Sequence, residues 1–178
     1  MFKLDFWPLN GLDSRVAGRL LLAQMYEELT GEAMPPIEKM PRGKPYFPGS
    51  NLHFSITHTK TRVFCALSDV PVGLDAEDLT RKVSPSLAEK ILSPGEYAQY
   101  AALADEEKNA ALLRFWVLKE AEVKCSGLGL RGYPSHTDFQ LDDERVSEID
   151  GCLVAVIQEK PADILDETTP LEEPANAL

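Results

Sequence analysis

Asp75-Ala76-Glu77 and Trp116-Val117-Leu118-Lys119-Glu120, with Lys124 following, place carboxylates and ammonium groups at two regular spacings. Side chains alternate along an extended chain, so Asp75 and Glu77 share a face. Positions four apart are neighbours on a helix, so Glu120 and Lys124 share one too. If that strand meets that helix, hard oxygen donors suited to a divalent ion line a pocket with a lysine beside it. Such a pocket is equipped to handle a phosphate-bearing substrate.

Each part also has a plainer reading. An isolated Asp-x-Glu pair is most often a solvated strand end, because carboxylates are rarely buried. Here Pro71-Val72-Gly73-Leu74 precedes it and reads as buried strand, where adjacent acids repel and a cation relieves the penalty. Asp78 falls on the other face. Glu120 and Lys124 also fit a surface pair contributing a few tenths of a kcal/mol. Trp116 lies on their stripe and argues that the face is covered, whereas Lys119 lies about 100° away. His58, after Phe54-Ser55-Ile56-Thr57, fits either a strand-end histidine or a phosphate contact assisted by hydroxyls and Lys60. Gly43-Lys44-Pro45 reads as a turn with a solvated lysine.

The elements that must position these groups follow from pattern. Phe2–Trp7 alternates as a strand. Asp13 or Ser14 caps a helix running to about Leu29, with Gly31 beyond it, and Val16, Leu20, Ala23 and Leu29 are its expected inward positions. Met34–Ser50 is Pro- and Gly-rich, hence loop. His53–Thr57, Arg62–Leu67 and Val72–Glu77 read as strands. Pro85 and Pro94 mark helix starts, giving helices over 85–92 and 94–103. Glu106–Ser126 is the longest helical stretch, ended by Gly127 and Gly129. Phe139–Leu141, Arg145–Ile149 and Leu153–Gln158 read as a closing antiparallel sheet. Helix, loop and hairpin thus occur twice, and the mixture reads as α+β.

A chain of 178 residues can bury a real core as one or two lobes. No apolar run is long enough to span a bilayer and no leader pattern opens the chain, so a soluble cytoplasmic protein is expected. Cys65, Cys125 and Cys152 are widely spaced, which suits reduced packing residues rather than disulfides or zinc ligands. The net charge of −11 argues against nucleic-acid binding. Part of it is local: residues 161–178 carry five acids and no Lys or Arg, and read as a disordered tail.

GKPYF (43–47), HFSITHT (53–59), VGLDAEDL (72–79), LSPGEY (92–97) and FWVLKEAEVKCSGLGL (115–130) stand in the order found in 4′-phosphopantetheinyl transferases. The chain resembles the larger, surfactin-synthetase-activating type over roughly residues 43–141. That resemblance implies a pseudo-dimer of two similar α+β lobes with coenzyme A bound between them. Here the lobes would be residues 1–70, shortened at the N-terminus, and 71–160. It implies magnesium on Asp75, Glu77 and Glu120, and His58 on the 3′-phosphate of coenzyme A. Lys44 and Thr57 would lie along the adenine nucleotide, with Lys124 on the pyrophosphate and Arg15 as a nucleotide-binding arginine. The implied reaction transfers 4′-phosphopantetheine to a serine of an apo acyl or peptidyl carrier protein, with Glu120 and Lys124 as catalytic groups and 3′,5′-ADP released. Carrier proteins of this kind are acidic, so a basic or apolar docking patch is expected beside the cleft. Two lobes in one chain imply a monomer. The family usually has Asn at Ser55 and Ser at Thr57 and Thr59; the hydroxyls survive at Thr57 and Thr59. The rival readings are a non-catalytic binder of coenzyme A or carrier protein, and a magnesium-dependent phosphohydrolase, which leaves HFSITHT and GKP unexplained.

Overall fold

In the computed structural model, which describes residues 1–127 and 137–159, the chain is a mixed α+β fold on two three-stranded antiparallel sheets. Strands β1 (Phe2–Pro8), β4 (His53–His58) and β5 (Arg62–Ser68) form the first sheet, in the order β1-β5-β4. Strands β6 (Val72–Asp78), β7 (Val146–Ile149) and β8 (Cys152–Gln158) form the second, in the order β6-β8-β7. The expected loop at Met34–Ser50 contains a two-residue hairpin, β2 (Glu38–Lys39) with β3 (Pro45–Tyr46).

Helix α1 (Ser14–Thr30) begins where the Asp13 carboxylate accepts hydrogen bonds from the Arg15 and Val16 amides, and ends at left-handed Gly31. Its inward face differs from expectation. Val16 and Leu20 are half exposed, at 51% and 52%, while Ala17, Gly18, Leu21, Leu22, Met25 and Tyr26 are buried. Ala23 and Leu29 are partly covered. The cause is Gly18: a Cβ there would lie 2.9 Å from Ile56 Cγ2, so the small residues turn inward to let helix and sheet approach.

In the second half, a short 3-10 turn (Pro85–Leu87) leads into α2 (Ala88–Ile91), followed by α3 (Pro94–Ala101) and the long α4 (Asp105–Ser126). Gly127 closes α4 in the left-handed region, while Gly129 lies outside the described residues. So does the acidic tail. The expected strand at Phe139–Leu141 is not formed. Helix side chains satisfy that backbone instead of a ladder: the Phe139 amide donates to Glu96, the Leu141 amide donates to Gln99, and the two carbonyls accept from Gln99 and Arg114.

Strand alternation distributes the core. Val63, Cys65 and Leu67 of β5 pack with α1, while Phe64 and Ala66 meet Val72, Leu74 and Ala76 of β6 between the two sheets. The opposite face of β6 turns to α4. All three cysteines are free and buried, and burial pushes the Cys65 thiol up to about 12 and the Cys152 thiol to about 11. No described helix is long and apolar enough to cross a membrane.

Candidate active site

β6 and α4 pack along their length and come into backbone contact at Gly73. A Cβ on Gly73 would lie 1.8 Å from the Ala121 carbonyl oxygen and 2.4 Å from the Cys125 amide. Backbone therefore packs on backbone, and the next residue on the same face, Asp75, is carried to the Lys124 side chain one helical turn from Glu120. Lys124 Nζ lies 2.6 Å from Asp75 Oδ1, and it also donates to Thr57 Oγ1 and the Leu74 carbonyl, at 3.2 and 3.1 Å.

The two sheets meet at this point through side chains. The Leu74 amide donates to Ser55 Oγ at 3.0 Å, and Thr57 Oγ1 donates to Asp75 Oδ1 at 3.0 Å. Ser55 and Thr57 stand two apart on β4 and so share a face, from which both hydroxyls bridge to β6. Asp75 is 6% exposed, and burial raises its pKa against the opposing pull of Lys124 and Thr57, with the Glu120 charge adding to the rise. Burial and like charge both disfavour the anion.

Glu77 shares the face of Asp75 and pairs with Arg81. Asp78 points away, as expected, toward the Lys60 amide, the Thr61 hydroxyl and Cys152. Glu120 makes no hydrogen bond or ion pair among the described residues. No three acid, histidine or cysteine side chains among them stand close enough to enclose a metal ion. The donor chemistry nevertheless fits a hard cation. Asp75 is a buried carboxylate opposed by a second one, and a cation there removes both penalties. Asp75, Glu77 and Glu120 are the groups that would hold it.

Two cavities flank this centre. One, of about 270 Å³, is lined by Lys44, Phe54, Ser55, Ile56 and Lys124. The other, of about 640 Å³, is lined by His58, Lys60, Glu77, Arg81 and Lys82. His58 is exposed, with Nδ1 3.2 Å from the Thr59 carbonyl. Lys44 is not a solvated turn lysine: Nζ donates to the Cys125 carbonyl in the last turn of α4, its stem packs on Gly127, and burial lowers its pKa. Arg15 sits exposed in the first turn of α1 and lines neither cavity.

Sequence reasoning left Lys119 without a role. It is fully buried, with Nζ 2.9 Å from Glu96 Oε2 in an ion pair too bent for a hydrogen bond. Glu96 is the third helical residue of a capping box with Ser93, and it also accepts the Phe139 amide at 3.0 Å. Glu96 thus ties α3 and the 139 segment to α4 next to Glu120. The Ser93-Pro94-Gly95-Glu96 spacing signals the cap, but not the partner 23 residues away.

Residues 71–163 match the family model of the 4′-phosphopantetheinyl transferase superfamily, which is more than half of the chain, and the chain belongs to that superfamily. It is 34% identical over 89 residues to the 4′-phosphopantetheinyl transferase Sfp of Bacillus subtilis (strain 168), covering 49% of this chain and 39% of that protein. It is 29% identical over 107 residues to the 4′-phosphopantetheinyl transferase gsp of Aneurinibacillus migulanus, covering 60% of this chain and 44% of the relative. The 4′-phosphopantetheinyl transferase AcpT of Salmonella typhimurium is 36% identical over 120 residues, covering 64% of this chain and 58% of its own length. The alignments thus span about two fifths to three fifths of these curated relatives.

Proposed function

We propose that this chain transfers the 4′-phosphopantetheine group of coenzyme A to a serine of an apo carrier protein. The observation that carries the reading is the Asp75–Lys124–Thr57 cluster at the junction of β4, β6 and α4, between two cavities with basic linings. Coenzyme A would lie between lobes formed by residues 1–70 and 71–160. The two helix-packed sheets meeting at β4 and β6 support that placement.

In this reaction the serine Oγ bonds to the β-phosphorus of coenzyme A, and the bond from that phosphorus to the bridging oxygen breaks, releasing 3′,5′-ADP. Magnesium on Asp75, Glu77 and Glu120 would offset the pyrophosphate charge. Lys124 has its three N–H groups on Thr57, the Leu74 carbonyl and Asp75, so it would release one of these oxygens to donate to the leaving group. Glu120, on the same helix face and free of an ion pair among the described residues, is placed to take the serine proton. His58 would engage the 3′-phosphate, with Lys44, Thr57 and Arg15 along the nucleotide. Lys44 must first release the Cys125 carbonyl to do so.

The exposed face of α1 carries Val16, Arg19 and Leu20, a basic and apolar surface for an acidic carrier protein. The chain is read as a cytoplasmic monomer. The test is incubation with magnesium, coenzyme A and a panel of apo carrier proteins, read by intact-mass spectrometry. One phosphopantetheinyl group should be added to at least one carrier. Calorimetric binding of coenzyme A with no mass gain on any carrier would favour a binder instead.

A further inference from the structure

Each carboxylate of β6 on the α4 face already holds a tethered cation, Lys124 on Asp75 and Arg81 on Glu77. The two are not equivalent. Lys124 is fixed by three oxygens from two elements. The Arg81 guanidinium has Glu77 as its one ion-pair partner among the described residues, and its side chain is 46% exposed against 14% for Glu77.

The backbone beneath Arg81 is anchored. Its amide donates to the Asp78 carbonyl at 2.9 Å, its carbonyl accepts from Asn109 Nδ2 at 2.9 Å, and the Val83 amide donates to Asn109 Oδ1 at 3.1 Å. Asn109 belongs to α4, so a long, exposed side chain turns on a pivot fixed to the site helix. Arg81 also lines the cavity of about 640 Å³ into which it can withdraw beside Lys60 and Lys82.

A guanidinium and a divalent ion cannot both sit on one carboxylate at no cost, since both are positive and both use its lone pairs. We propose that Arg81 is a resident counter-cation of Glu77 that competes with the divalent ion and sets the affinity of the site for it. Arg81 is thus a positioning residue acting through Glu77: it keeps a half-buried acid neutralised until the ion arrives. The inference rests on the metal reading given under Proposed function. The opposing arrangement, in which Arg81 holds Glu77 in a ligating pose, has the opposite sign.

Mn²⁺ binding to the full chain, followed by electron paramagnetic resonance of the free ion, separates the two. Arg81→Gln should bind Mn²⁺ about two- to fivefold tighter than wild type, the range an exposed ion pair can oppose. Arg81→Lys, which keeps the charge, should stay near wild type. Glu77→Gln should bind more weakly, and adding Arg81→Gln to it should restore much less, closing a double-mutant cycle. A general loss of structure cannot tighten binding. Arg81→Gln binding Mn²⁺ equally or more weakly while wild type binds it overturns the role of Arg81 and leaves the metal reading standing. Absence of saturable binding in every variant overturns both.

Discussion

Gly73 and Ala121 pack backbone to backbone, with 1.8 Å between a Cβ built on Gly73 and the Ala121 carbonyl oxygen. Gly73 needs no left-handed conformation; it needs the absence of a side chain. Gly73→Ala should push β6 from α4 and separate Asp75 from Lys124. The expected cost is about 3 kcal/mol or more in urea unfolding, at the upper end for overpacking. Gly18→Ala is the control: its Cβ meets a movable Ile56 methyl at 2.9 Å, so it should cost less. A Gly73→Ala variant within about 1 kcal/mol of wild type would sink the close-approach argument.

Asp75 predicts an unusual pH response. Burial raises its folded-state pKa above the ordinary carboxylate value, even with Lys124 and Thr57 opposing the rise. Between the unfolded and folded values the folded state keeps a proton that the unfolded state has lost, so this group lowers stability as pH rises through that window. The penalty is complete above the folded pKa and absent below the unfolded one. Asp75→Asn should therefore be at least as thermostable as wild type at neutral pH. The Tm difference should shift toward wild type as the pH falls through the carboxylate range. A variant melting clearly below wild type at pH 7 would show the ion pair to be net stabilising. Loss of the proposed transferase activity is expected in either case.

Lys119 and Glu96 form a pair with both side chains fully buried. Lys119→Met strands the Glu96 carboxylate in the core, which typically costs about 3–5 kcal/mol. Because Lys119 precedes Glu120, activity should fall beyond what unfolding explains. Chemical denaturation paired with activity at a temperature where the variant is folded checks both parts. Unchanged stability would mean that water or another cation replaces the ammonium.

Much of the site can be read from local pattern. Alternation in β6 puts Asp75 and Glu77 on one face and Asp78 on the other, and helical spacing aligns Glu120 with Lys124. The caps at Asp13 and Ser93 follow from residue type. The α1 face does not, because Ala17 and Gly18, which carry almost no hydrophobic signal, turn inward beside Leu21, Leu22, Met25 and Tyr26, while Val16 and Leu20 repeat at helical spacing and stay outside. Phe139–Leu141 has strand-like composition, yet Gln99 and Arg114 claim its backbone groups from a distance.

Chain order and residue type thus settle which groups are available for chemistry: oxygen donors on one strand face, an acid and an ammonium on one helix stripe, hydroxyls at alternate positions of β4. These are local facts, set by the periods of strand and helix. Which cation each carboxylate holds is decided only when distant segments pack. Lys124 reaches Asp75 across 49 residues because Gly73 admits α4, and Lys44 reaches the Cys125 carbonyl across 81. Ion pairing depends on distance and burial, and both are properties of the packed chain.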